Sequence, residues 1–416
     1  MRHRMPLGQL HHTISSVVGL RPSACEVLLP ALTLDETAYC HNRDFFLEYA
    51  RAAGVRIAPH AKTPMSADIA ADLIEAGAWA ATVANLQQAE AMLSHGISRI
   101  LIANGLGGLR NAPRLAALQK EFPECEIVCI ADSVAAVAVL SAAAIAAESS
   151  IPVLVEVGAG RSGARTFESA HLVAQAILRD PMLVLRGVAT YEGSVEGLTE
   201  MARIEGIDAL LALVSRFFLH LRRIAPADAL IISAGGSLYF DRVIEALRPV
   251  VEKDTNSFLL LRSGAIFFYD HGIYRRGLAA MDQRGGLLFG KDKVSAEHSF
   301  RPALKLWAEI LSLPEPGLAI CGFGMRDVSF DQGMPVPLAV FRDGLLNPEH
   351  DPSLMSVFKL NDQHAYLRFD ASSSLSIGDV VAFGISHPCT CFDRWRQFYI
   401  LADGGRISGV CQTLFS

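Results

Sequence analysis

Val55-Arg56-Ile57-Ala58-Pro59-His60-Ala61-Lys62-Thr63 runs from a short apolar segment into a polar turn and sets a lysine just past the end of an early strand. A lysine so placed is a candidate for Schiff-base chemistry. That chemistry needs a partly desolvated site, which lowers the amine pKa so that the neutral form can attack a carbonyl. The plainer reading is an exposed loop lysine, the usual place for this residue type. The choice depends on what repeats further along the chain.

Outward from that stretch, short apolar runs alternate with longer helical patterns from about residue 35 to 275. The alternation predicts strands at 55–58, 79–84, 99–104, 126–131, 151–157, 183–191, 229–234 and 257–262. Helical patterns lie between them at 66–76, 86–95, 112–121, 166–178, 207–224 and 240–247. Eight βα units at roughly 25–30-residue spacing predict a TIM (β/α)8 barrel, with an open doubly wound sheet as the alternative. After about residue 280 the texture changes to short alternating runs at 304–313, 336–341, 365–369 and 379–384, which predict a separate all-β domain. The expected organisation is a barrel over 35–280, a β domain over 281–416, and an N-terminal segment, 1–34, that adds a strand to the β domain.

Composition narrows the class. The chain has 416 residues, 51% hydrophobic and 19% charged, with a formal charge of −6. These values describe a protein with a large core, and they argue against a nucleic-acid partner. The longest uncharged apolar run, 133–147, is shorter than the ~20 residues of a membrane-spanning helix. Residues 1–20 lack the continuous apolar stretch of a signal peptide. The expectation is a cytoplasmic protein without a membrane partner. Eight scattered cysteines with no Cys-x-x-Cys do not form a disulfide framework.

In a barrel of this type chemistry belongs at the C-terminal ends of the strands. His60 and Lys62 follow the first strand, Arg161 the fifth and Tyr191 the sixth. Ser233, Gly235, Gly236 and Ser237 follow the seventh, and Arg262, Ser263 and Gly264 the eighth. The last two positions are where barrels often hold a phosphate, although each glycine cluster alone also reads as a tight turn. Gly158-x-Gly160-x-x-Gly163 has the spacing of a dinucleotide fingerprint. It sits in the fifth unit instead of the first, with Arg161 inside the loop, which favours a turn. A last cluster, His387-Pro388-Cys389-Thr390-Cys391, follows the strand predicted at 379–384. In extended geometry His387 and Cys389 would share one face. An imidazole and a thiolate suit a zinc-like ion with open positions. A core histidine beside a buried thiol is the alternative.

Together, Pro59-His60-Ala61-Lys62-Thr63, Ser233 to Ser237, Arg262-Ser263-Gly264 and His387-Pro388-Cys389-Thr390 give a chain that resembles the D-serine dehydratase / D-threonine aldolase family. The resemblance covers about residue 25 to the end. It implies an alanine-racemase-type barrel binding pyridoxal phosphate, followed by a β domain. It also implies that Lys62 carries the cofactor, that Tyr191 faces the pyridine nitrogen and that Arg161 lies beside the cofactor. Gly236, Ser237, Ser263 and Gly264 would hold the phosphate. His387 and Cys389 would bind a divalent metal, Zn2+ first, with Mn2+, Mg2+ or Co2+ as alternatives. Asp362-Gln363-His364 resembles a β-domain segment that reaches the active site, and in the retro-aldol alternative His60 or His364 would take the β-hydroxyl proton. The implied substrate is a small β-hydroxy D-amino acid and the implied assembly a homodimer. His-x-Cys points to a dehydratase that yields a 2-oxo acid and ammonia. Retro-aldol cleavage is the alternative, followed by a racemase or a non-catalytic carrier of the cofactor. Pro64-Met65 departs from the His-Lys of many relatives, and Cys391 from a common threonine.

Overall fold

A computed structural model describes residues 14–226, 228–371 and 374–415. The chain divides into two compact units. One comprises residues 41–267 and 274–300, the other residues up to 40, 268–273 and 301–415.

The first unit is built on eight parallel strands. From Arg56–Ile57 the sheet runs next to Ser257–Leu261, then Leu230–Ala234, Leu183–Ala189, Ile151–Glu156, Glu126–Ala131, Arg99–Ile102 and Ala81–Val83. Both ends of that order meet. His60 bridges Thr82 in parallel register, while Trp79 N–H donates to the Ile57 carbonyl at 2.7 Å and Ala61 N–H to that of Thr82 at 2.8 Å. The curled sheet is thus a TIM barrel, and the segment that closes it carries Lys62. Parallel strands covered on both faces are apolar throughout. Accordingly one cluster takes Ala58, Ala80, Leu101, Val128, Ile130, Leu154, Ala189, Ile231 and Leu260 from all around the sheet.

The helices begin where their caps lie. Asn85, Ser133 and Thr166 accept from the backbone N–H three residues on, satisfying donors that a helix start leaves open. The alanine-rich run forms the packed helix Val134–Ala147. Two helices exceed the sequence expectation. Thr199 caps the helix Glu200–Ile224, seven residues before the expected start at 207. Phe240–Val251 continues through Pro249, because apolar Leu247 and Val251 stay on its buried face and a proline in the last turn costs few intrahelical bonds.

The second unit is a ten-stranded sheet. Its main path runs Leu345–Leu346, Val336–Arg342, Val380–Gly384, Leu304–Glu315, Ala31–Asp35, Gln397–Leu401, Ile407–Gln412, with Leu318–Cys321, Ala365–Arg368 and Ser356–Leu360 branching from it. Ala31–Asp35 lies antiparallel to Leu304–Glu315 and parallel to Gln397–Leu401. Its place is fixed by the Trp307 indole N–H, which donates to Thr33 Oγ1 at 2.9 Å, and by the Lys305–Asp35 pair at 3.1 Å. Val17, Val27, Ala31, Trp307, Val380, Ala382, Leu401 and Ile407 form its core. Among the described residues no helix is long and apolar enough to cross a membrane.

Candidate active site

At the closure of the barrel, Lys62 stands in the turn after the bridge residue His60 with its side chain exposed. Burial pushes the His60 imidazole well below the usual histidine range, and the positive charges of Lys62, Arg262 and Arg161 act in the same direction. A bond with the Thr82 backbone opposes them. The ring is therefore neutral near pH 7, and its Nδ1 is buried without a hydrogen-bond partner. The turn after the eighth strand lies directly against this segment. A Cβ on Gly264 would meet the His60 carbonyl oxygen at 2.6 Å and its nitrogen at 2.9 Å.

The sixth and seventh strands end in a second cluster. The Tyr191 ring packs on bare backbone: a Cβ on Gly235 would meet it at 2.2 Å, and one on Gly193 at 2.7 Å. The Arg161 guanidinium lies 4.9 Å from the ring centroid. Burial, then the Glu192 charge, push the Tyr191 phenol up, while Arg161 and a bond to Ser237 hold it back. Tyr191 is thus a neutral hydrogen-bonding phenol. Arg262 is buried, and donates from Nη1 to Ser233 Oγ at 2.6 Å and from Nη2 to the Thr190 carbonyl at 2.7 Å.

Sequence reasoning assigned no role to Glu192, which is fully buried here. Its carboxylate accepts from Gly236 N–H at 2.7 Å and Gly235 N–H at 3.1 Å. Burial pushes its pKa up against its own backbone bond, Arg262 and the two glycine bonds. The two amides expected to cradle a phosphate are therefore engaged by a side chain of the protein. Ser237 continues that turn, and Ser263 Oγ donates to the Gly236 carbonyl at 2.5 Å. The Gly158–Gly163 loop folds on itself. A Cβ on Gly158 would strike the Ser162 carbonyl at 2.1 Å, and Ser162 Oγ donates to buried Glu156 at 3.0 Å, so the loop is a tight turn.

In the β unit the His-x-Cys cluster is not extended. Pro388 starts a short helix, Pro388–Phe392, and His387 is its extended N-cap. A proline at the first helical position lacks only an N–H that would go unpaired there, and its fixed φ suits the turn. His387 and Cys389 nevertheless bond through their side chains. Cys391 turns inward and is fully buried, its Sγ facing the Asp327 carbonyl at 4.0 Å, and burial pushes its thiol up to about 12. Asp331, which sequence reasoning missed, accepts from His387 Nδ1 at 2.6 Å and from Thr390 Oγ1 at 2.6 Å. Burial pulls the His387 pKa down, but its contacts with Cys389 and Asp331 outweigh it and raise the value to about 9. His364 stands exposed in the turn between Ser356–Leu360 and Ala365–Arg368.

Two family models match this architecture. Residues 34–237 match the alanine racemase N-terminal domain, and residues 303–401 match the putative serine dehydratase domain. The chain thus carries an alanine racemase N-terminal domain followed by a putative serine dehydratase domain. Among its relatives, a 3-hydroxy-D-aspartate aldolase of Paracoccus denitrificans is 27% identical over 97% of this chain and 95% of its own length. A D-threo-3-hydroxyaspartate dehydratase of Delftia sp. is 33% identical over 40% of this chain and 43% of its own. The solved D-threonine aldolase from Filomicrobium marinum shares the fold with a TM-score of 0.75. It is 23% identical and the match covers 95% of this chain and 97% of that one.

Proposed function

We propose that this protein is a pyridoxal-phosphate- and divalent-metal-dependent lyase acting on small D-amino acids with a β-hydroxyl group, and that it is a dehydratase. The observation that carries the reading is Lys62 at the rim of an alanine-racemase-type barrel, two residues from a neutral imidazole that also feels the charge of Arg161, the arginine stacked on Tyr191. Pyridoxal phosphate, when bound, supplies the electron sink that makes the Cα–H of an amino acid acidic. Lys62 Nζ would anchor it and afterwards take the Cα proton. His60 stays uncharged, so it places no second cation against that amine. Tyr191, kept a phenol and aligned by Arg161, would face the ring nitrogen as a hydrogen-bonding neighbour instead of a cation. Ser237 would offer a hydroxyl to a phosphate at the end of the seventh strand, Ser263 would do so by releasing the Gly236 carbonyl, and Arg262 would add buried positive charge. With Gly235 and Gly236 N–H given to Glu192, those glycines would serve through their shape.

In the β unit, His387 and Cys389 would hold a divalent ion, which supplies Lewis-acid chemistry suited to a poor hydroxide leaving group. Dehydration is favoured over cleavage by this pair. The D-threo-3-hydroxyaspartate dehydratase among the solved structures is represented by a histidine variant and by a metal-free cysteine variant, the two sites separated by one residue, as His387 and Cys389 are here. Retro-aldol cleavage is the second reading, favoured by the near full-length match to an aldolase. The deciding experiment incubates the cofactor- and Zn2+-loaded protein with D-threonine and with D-threo-3-hydroxyaspartate and follows products by NMR. Dehydration gives 2-oxobutyrate or oxaloacetate with ammonia. Retro-aldol cleavage gives glycine with acetaldehyde or glyoxylate and would transfer the assignment. Lys62→Ala is expected to lose turnover and the absorbance of lysine-bound cofactor, and retained turnover would overturn the scheme.

A further inference from the structure

A set of hydrogen bonds ties the loop 329–331 to the turn that carries His387 and Cys389. Ser329 Oγ accepts from His387 N–H at 3.1 Å, and the two Asp331 oxygens accept separately from His387 Nδ1 and Thr390 Oγ1, each at 2.6 Å. The His387 ring is mostly covered, with 21% of its side chain exposed. It is thus held at its backbone by one residue and at its ring by another two positions away. An imidazole whose Nδ1 carries the proton toward a carboxylate has only Nε2 to offer a cation, and the carboxylate raises the basicity of that nitrogen. Thr390, one residue past Cys389, ties the same carboxylate to the thiol-bearing helix, so one aspartate sets the approach of both side chains.

We infer that Asp331 is the positioning residue of the His387–Cys389 pair, directing His387 Nε2 and Cys389 Sγ onto one divalent cation. The inference rests on the metal reading proposed above and adds to it which nitrogen binds and what aims it. Asp331 itself would stay outside the coordination shell, because both of its oxygens are committed to His387 and Thr390.

The test is a Zn2+ titration of the cofactor-loaded, metal-stripped protein against a chromophoric chelator, with Co2+ spectra of the same samples. The wild type is expected to bind one equivalent, and His387→Ala none at that site. Asp331→Asn is expected to bind roughly 10–100-fold more weakly. It should keep its cofactor absorbance and melting temperature, and its Co2+ spectrum should keep the thiolate band while the ligand-field bands shift. A purely structural aspartate would move the melting temperature and leave those bands alone. Wild-type affinity and spectrum in Asp331→Asn would overturn the inference. Should that variant fail to fold, Thr390→Val removes one of the carboxylate's two tethers and decides: weakened binding supports the inference, and unchanged binding overturns it. If the wild type takes up no Zn2+, or His387→Ala takes it up equally well, the metal reading fails along with the inference. A null result in Asp331→Asn alone leaves that reading standing.

Discussion

Glu192 is fully buried, and its two amide donors, Gly235 and Gly236, are brought to it only by folding. Its pKa in the folded chain lies above the unfolded value of about 4.3. An acid with a raised folded pKa binds more protons in the folded state. Its contribution is fully present below the unfolded pKa and is lost as pH rises through the folded one. Buried Glu156, also raised chiefly by burial, acts in the same direction. Glu192→Gln is therefore expected to flatten, without abolishing, the decline in urea midpoint between about pH 4 and pH 8. An unchanged slope would place the titration elsewhere. Tyr191-Glu192-Gly193 is visible in the sequence as a polar group ending a strand. The role of Glu192 depends on amides 43 and 44 residues further on, and no periodicity links them. Asp331 is similar: it lies 56 residues from His387 in a segment with no motif.

At the scale of elements, parallel strands buried on both faces are short apolar runs, so all eight barrel strands could be read within a few residues of their ends. The β unit was less legible. Ser356–Leu360, Gln397–Leu401 and Ile407–Gln412 mix exposed and buried positions irregularly, Leu318–Cys321 is only four residues long, and three pairings of these strands carry register shifts. The His387–Cys389 segment was expected to be extended, and Pro388 makes it a helix start. The packing of the eighth strand's end against the first has its own test. Gly264→Ala would press a methyl group into the His60 backbone, which cannot yield as a flexible side chain does. The expected loss is about 1–3 kcal/mol in urea unfolding, the range for overpacking. A loss within error would mean that the two strand ends separate readily.

For the molecule as a whole, the path of the chain matters more than the number of strands. The β unit is assembled from three separate stretches of sequence, and Ala31–Asp35 stands in the middle of its sheet, between Leu304–Glu315 and Gln397–Leu401. Residues 301–416 expressed alone would leave two strands with open edges and would remove Thr33 and Asp35 from Trp307 and Lys305. That fragment is expected to give a collapsed amide NMR spectrum and to aggregate. A well-dispersed spectrum would show that the central strand is dispensable.

The eightfold βα alternation, the β-rich C-terminal part and a lysine at the end of the first barrel strand are legible in the order of residues alone. Each of these is written in local periodicity and in which residue follows an apolar run, and burial of apolar surface enforces them. Folding in three dimensions is what sets His60 at the barrel closure, Glu192 on the Gly235 and Gly236 amides, and Asp331 against His387. Those facts are hydrogen bonds between groups distant along the chain, and a polar side chain finds its partner only after the apolar framework has brought both out of water.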